Sequence, residues 1–273
     1  MSATNSGGTP DPGYTYSNLF LFNARDELLG PEGETVSTGH HAVMIDLNTL
    51  VWVSERAQLG GARLSTAATL LVSSNSLASD VKGQLSSGGG FGDLYLQPLI
   101  VGWKKPRVDV RLAYGILAPT GRFDGNANDN VGSGYWTHAP SAGVTFYLSE
   151  SKATALSAFH MYEFHTAQKD TGIHPGQTAN LDYSLTHTIP IRTNAQMQLG
   201  LIGYGQWQVT DKGGPTITSA QAAERYGVNS LGLASTLMLP QRKTTLGLKY
   251  FKEFASRSTF QGYTLQISMG IGF

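Results

Sequence analysis

Seven histidines and no cysteine limit the reactive chemistry open to this chain. Nucleophilic catalysis needs a serine, a histidine and an orienting polar group within hydrogen-bond reach. His138 and Ser141 are close in sequence but fall on opposite parity of an alternating segment, so they face apart. Val228-Asn229-Ser230 does not reproduce the Ser-Asn-Gly context that outer-membrane lipases use. The histidines give no metal constellation either: His40 and His41 are adjacent and point to opposite sides of a strand, and His160 and His165 differ in parity. The loop at 124–130 is acidic and contains glycine, yet lacks the ligand order of an EF-hand. No segment resembles a nucleotide-binding loop. The sequence therefore predicts no catalytic residue, no metal and no cofactor.

The remaining chemistry lies in charged and polar residues that alternate with apolar ones. Val108, Val110, Leu112, Tyr114 and Ile116 alternate with Asp109, Arg111, Ala113 and Gly115; Leu246, Leu248 and Tyr250 alternate with Gly247, Lys249 and Glu253. Successive strand side chains point to opposite faces, so each segment has one greasy and one polar face. If the greasy faces meet lipid, the polar ones must face water or one another, because an arginine near the bilayer midplane costs roughly 2–4 kcal/mol. Asp93, Tyr95, Gln97, Asp109, Arg111, Asp182, Lys249 and Glu253 are then pore-lining candidates. The Asp and Arg residues among them equally suit a second role, neutralising one another across strands and filling a narrow lumen. Tyr95, Trp103 and Phe251 share the inward parity and would give the lumen apolar patches, or plug it.

The elements that position these residues are strands. Charged residues make up only 14% of the 273 residues, against roughly 25% in a typical soluble domain. Nothing approaches the run of roughly 18 apolar residues a membrane helix requires, so a membrane reading must be a barrel reading. The formal net charge of zero argues against a nucleic-acid partner. Residues 1–13 form a polar N-terminal segment without the basic and apolar regions of a secretory signal. Residues 14–273 read as one barrel of about twelve strands, each close to the 9–11 residues that cross a bilayer at a tilt. Its last strand is the clearest: Tyr263, Leu265, Ile267, Met269, Ile271 and Phe273 alternate with Thr264, Gln266, Ser268 and glycines. A strand at 41–53 sets Val43, Ile45, Leu47, Val51 and Val53 against Asp46, Asn48 and Trp52. Long connections are expected at 25–39, 73–90, 119–135, 165–177 and 210–225, with mostly short ones between the other strand pairs. That alternation belongs to an all-β, antiparallel, up-and-down transmembrane barrel with both termini in the periplasm.

Between residues 91 and 136 the sequence also resembles a known family. Phe91-Gly92-Asp93, Pro98 and Gly102-Trp103, then Pro119-Thr120-Gly121-Arg122 and Gly134-Tyr135-Trp136, are similar to the outer-membrane channel family of the meta-pathway of phenol degradation. The resemblance implies a monomeric bacterial outer-membrane barrel that admits small, hydrophobic or aromatic molecules. Gly92, Asp93, Pro119, Thr120, Gly121 and Arg122 are the residues carrying the family motif. The expected partners are outer-membrane lipid and small-molecule solutes, and the expected function is passive uptake. The alternatives are an outer-membrane enzyme of lipase type, a small general porin, or a structural barrel with a filled lumen.

Overall fold

The computed structural model describes residues 4–56, 60–79, 83–127 and 129–273. Residues 1–3 of the N-terminal segment, residues 80–82 of the Ser- and Gly-rich stretch and Asn128 of the acidic loop lie outside the described residues. In chain order the strands are β1 (Gly13–Leu29), β2 (Thr35–Val53), β3 (Arg63–Ser79), β4 (Gly83–Phe91), β5 (Leu94–Lys104), β6 (Val108–Ala118), β7 (Thr137–Tyr147) and β8 (Thr154–His165). They continue as β9 (Thr178–Arg192), β10 (Ala195–Gln208), β11 (Gly227–Leu239), β12 (Thr244–Arg257) and β13 (Thr259–Gly272), and a five-residue helix α1 (Ser219–Ala223) precedes β11.

The thirteen strands form one antiparallel sheet that closes, because β2 pairs with both β1 and β3 while β13 pairs with β1. Every strand except β4 belongs to the ring, which leaves twelve staves. The last strand is fastened along its length to the first, from Thr15 opposite Gly272 to Leu29 opposite Thr259. At its end the Phe273 N–H donates to the Tyr14 carbonyl at 2.9 Å, Tyr14 donates back at 3.1 Å, and the two rings stack. Closure satisfies the backbone of an apolar strand that would otherwise offer a free edge.

The outer surface carries Leu112, Phe146, Leu156, Leu185, Leu199, Leu201, Leu231, Leu233, Leu246, Leu248, Tyr250 and Ile267, all exposed. Their strand neighbours Asp109, Thr145, Ser157, Ser184, Thr186, Gln198, Ser230, Glu253, Thr264 and Gln266 are buried. The barrel is thus inverted relative to a water-soluble one, greasy outside and polar within. On β1 and β2 the two faces differ from this pattern. Leu19, Leu21, Ile45 and Leu47 share the face of the buried lumenal residues, since Leu21 opposes Gln266 across β13 and Ile45 opposes Leu21. One sector of the lumen wall is therefore apolar. The reverse face of the same strands carries Asn18, Asp46 and Asn48 outward among Phe20, Met44, Leu50 and Leu70.

Two long connections expected from the sequence are strand instead. The 25–39 stretch is the top of a hairpin, with β1 reaching Leu29, β2 starting at Thr35, and only residues 30–34 between them. The described part of 73–90 is likewise the paired upper half of β3 and β4. β1 has 17 residues and β2 has 19, roughly 40 Å of height at a tilt of about 40°, against an apolar band of about 25 Å. Above that band a strand needs no greasy face, so the alternation that marks strands in the sequence fades while the backbone ladder continues. The connections at 119–136, 166–177 and 209–226 are loops, as expected, and residue 258 alone joins β12 to β13.

Candidate functional site in the barrel lumen

The N-terminal segment enters the barrel. Ser6 and Thr9 are buried, and the Gly7 N–H donates to Thr145 Oγ1 at 3.0 Å on the inner face of β7. Its passage depends on two glycines in the wall. A Cβ on Gly143 would lie 2.1 Å from the Ser6 carbonyl oxygen, and one on Gly102 would lie 2.0 Å from Thr9 Oγ1. The segment thus lies across β5, β6 and β7 and narrows the passage from the end that carries the termini.

Above it the candidate residues fall on register rows. Arg111 opposes Gly143, Gly143 opposes Phe159, Phe159 opposes Asp182, and the row continues through Tyr204 and Ser230 to Glu253. Three residues distant in sequence, Arg111, Asp182 and Glu253, are therefore brought onto one inner row of the wall. Glu253 is a strut within it: Tyr204 Oη donates to one carboxylate oxygen at 2.8 Å and the Gly262 N–H to the other at 2.9 Å. Lys249 lies on the inner face of β12, within electrostatic range of Asp182. Asp109 is buried under the N-terminal segment and accepts from Tyr147 Oη at 2.7 Å. The neutralisation of Arg111 expected from an Asp across strands is not the pairing found. Arg111 instead holds its guanidinium over the Phe159 ring, 5.9 Å from the centroid, reaching across the side-chain-free Gly143.

Asp93 differs in kind from the other candidates. It sits in the two-residue break between β4 and β5 and lines no stave. Its carboxylate accepts from the Gly121 N–H at 2.9 Å, the Ser133 N–H at 2.8 Å and Ser133 Oγ at 2.5 Å. Leu94 N–H donates to Thr120 Oγ1 at 3.0 Å. A Cβ on Gly121 would meet the Gly132 Cα at 2.7 Å, so the loop packs backbone to backbone. Gly92-Asp93 and Pro119-Thr120-Gly121, separated in sequence, thus form one knot at a discontinuity of the wall. Arg122 pairs within its own loop, 2.7 Å from Asp129. Above the knot β4 pairs with β3, β6 has already ended at Ala118, and no second strand partner of β4 occurs among the described residues.

Tyr95 faces inward, its hydroxyl over Gly115 and hydrogen-bonded to the Gln97 side chain. The register then slips at Gln97 and Pro98, between Leu96 opposite Ile116 and Leu99 opposite Tyr114. The bulge reverses the parity below it, so Gly102 faces in and Trp103, opposite Val110, faces out, contrary to its expected place. Phe251 is fully buried on the inner face, beside Tyr204. Near the loop end a cavity of about 250 Å³ is lined by Arg25, Gln206, Tyr226, Val228, Glu253 and Phe260. Burial, reinforced by the charge of Glu163, holds the hydroxyls of the loop residues Tyr135 and Tyr226 above the usual tyrosine range, so both remain neutral donors.

The lipase-type constellation does not assemble. His138 Nδ1 shares a 2.7 Å hydrogen bond with Tyr114 Oη on the outer face, whereas Ser141 is buried on the inner one. Among the described residues no three His, Asp or Glu side chains converge as a metal site would require. Histidines fall apart in the same way as the sequence suggests: His165 Nδ1 meets Thr137 Oγ1 at 2.9 Å and His160 is exposed.

The family described as "Putative MetA-pathway of phenol degradation" matches residues 25–269. The chain belongs to this family. Its fold is similar to that of an outer-membrane channel from Pseudomonas putida F1, at a TM-score of 0.79 and 15% identity, covering 100% of both chains. It is similar, more distantly, to the β domain of the Bordetella autotransporter BrkA, at a TM-score of 0.54 and 12% identity over 96% of this chain and 100% of that one. No curated protein matches the sequence. Among the described residues no helix is long and apolar enough to cross a membrane. With its closed ring and outward apolar belt, this member of the family is a bacterial outer-membrane β-barrel.

Proposed function

We propose that the protein is a passive outer-membrane channel for small, apolar or aromatic molecules. The observation that carries this reading is the two-sided lumen. Leu19, Leu21, Ile45 and Leu47 line one sector, and rows of Thr, Ser, Asn, Gln and charged residues line the rest. An apolar solute finds burial along the first sector without leaving the barrel, and water or a polar substituent is solvated along the second. Twelve staves lie between the roughly eight that enclose a filled interior and the 16–18 that enclose an open aqueous pore, and the N-terminal segment narrows the passage further. The discontinuity above the Asp93 knot offers a solute a way between lumen and bilayer. The barrel closes within one chain, so a single copy encloses the whole lumen, which suits a monomeric channel. Passive passage needs no catalytic group, which fits the separation of His138 from Ser141 by the wall.

The test uses proteoliposomes whose outer leaflet carries lipopolysaccharide, the barrier that apolar solutes cross slowly. Entry of radiolabelled toluene and of glucose is compared with protein-free vesicles. Faster entry of toluene, with little glucose, is expected. No acceleration of either would remove the channel reading, and acceleration of glucose alone would leave a small porin.

A further inference from the structure

We propose that Arg111, Phe159 and Tyr95 form a lumenal subsite for the carboxylate of an aromatic acid, so that the substrates include organic anions with an apolar body. The proposal rests on the channel reading and narrows it.

The guanidinium is an uncommitted cation of the inner wall, on the same row as Arg63, whose buried Nη1 has no hydrogen-bond partner either. Among the described residues nothing ion-pairs with Arg111 or accepts a hydrogen bond from it, and its guanidinium stands over the Phe159 ring. The nearest carboxylate in sequence, Asp109, accepts from Tyr147 Oη at Oδ2, and its Oδ1 is buried without a hydrogen-bond partner and does not reach Arg111. Across the sheet both neighbours of Arg111 are glycines, Gly102 and Gly143, whose side-chain space holds Thr9 and Ser6. No protein side chain is therefore placed to neutralise Arg111 from either adjacent stave. A half-buried guanidinium keeps five N–H donors, and its planar fork matches a carboxylate in two parallel hydrogen bonds.

The surroundings then select the body of the ligand. Phe159 backs the guanidinium and holds its plane by a cation–π contact. Tyr95 lies over Gly115, the second inward position beyond Arg111 on the same strand, and within electrostatic range of the guanidinium, so a phenol ring and hydroxyl line the wall above it. An aromatic acid can set its carboxylate on Arg111 and its ring against Tyr95 and Phe159, whereas a neutral hydrocarbon uses only the rings and a small carboxylate only the fork. Removing a charge-assisted bidentate contact in a sheltered site weakens binding by about tenfold or more.

The experiment is equilibrium binding to the folded, detergent-solubilised full chain, measured calorimetrically with sodium benzoate, benzyl alcohol and sodium acetate, so that no transport is needed. Benzoate is expected to bind about tenfold more tightly than benzyl alcohol or acetate. Arg111→Gln should lose that preference, and Arg111→Lys should keep part of it. A heat-shifted band on gels shows that each variant is folded, and Phe159→Leu, which keeps the charge, gives a second reading: benzoate should weaken more than acetate. Equal binding of benzoate and benzyl alcohol, or an Arg111→Gln variant that still prefers benzoate, overturns the subsite. Acetate binding as tightly as benzoate overturns the aromatic component. A protein that speeds toluene entry but shows no benzoate preference remains a channel without this subsite, whereas one that binds benzoate and transports nothing loses the channel reading alone.

Discussion

The Asp93 carboxylate accepts the Gly121 backbone N–H at 2.9 Å across a break in the barrel wall, and through that bond the fourth stave is tied to the loop that follows the fifth. With the two bonds from Ser133, one ionised group replaces the strand pairing that the upper wall lacks. Charge-assisted bonds to a buried carboxylate are stronger than neutral ones, and leaving their donors unpaired carries the full desolvation cost.

Asp93→Ala should therefore destabilise the barrel by about 2–4 kcal/mol, since two buried backbone N–H groups lose their acceptor. Asp93→Asn, which keeps one acceptor oxygen, should cost about half of that. The measurement is the temperature at which the folded band disappears on gels. If both variants melt with the parent, the knot does not hold the wall together.

The wall glycines make the N-terminal segment separable from the barrel. Gly143→Val places a side chain where the Ser6 carbonyl lies, with Cβ only 2.1 Å from that oxygen. The strand itself tolerates valine, which favours β structure. Single-channel conductance of Gly143→Val is expected to rise several-fold above the parent, and deletion of residues 2–12 should match it. A deletion that conducts like the parent would show that the segment does not restrict flow.

Much of this architecture is legible in the sequence because lipid imposes a strict pattern. Leu246, Leu248 and Tyr250 against Gly247, Lys249 and Glu253 can be assigned to faces by parity alone, and the structure places them as parity requires. The pattern is lost where its physical cause is lost. Residues 26–29 and 35–40 lie on the part of the hairpin that rises past the apolar band, so they carry no alternation although they are paired. Parity also fails across an irregularity, and Pro98 was the available signal: proline inside a strand marks an edge or a bulge. Carrying parity through it put Trp103 on the wrong face. Parity places Asp93 in the lumen because it precedes Tyr95 and Gln97 by even steps, but its partners Gly121 and Ser133 are set by tertiary contact that spacing does not encode.

The outward polar cluster on β1 and β2 was also beyond parity, because counting faces does not say which face is out. Asn48 Nδ2 donates to Asp46 Oδ2 at 3.0 Å, Asn18 Nδ2 donates to Asp46 Oδ1 and Asn48 Oδ1, and Tyr16 Oη donates to Asn48 Oδ1 at 2.6 Å. Asn18 stands five positions beyond Gly13, roughly 12 Å up a tilted strand and so near the middle of the apolar band. The three side chains satisfy one another, and that fixes the outcome of removing them. Asp46→Leu alone strands the amides of Asn18 and Asn48 in lipid and should cost about 1–3 kcal/mol. Replacing Asn18, Asp46 and Asn48 together by leucine removes their donors and acceptors at once, leaves only the Tyr16 hydroxyl without its acceptor, puts three apolar groups against lipid, and should leave stability equal to the parent or up to about 2 kcal/mol higher. Urea unfolding of the three proteins in phospholipid vesicles measures the difference. A triple variant less stable than Asp46→Leu would mean that the cluster supports the wall through more than its own hydrogen bonds, and that the lipid-facing account of Asp46 is wrong.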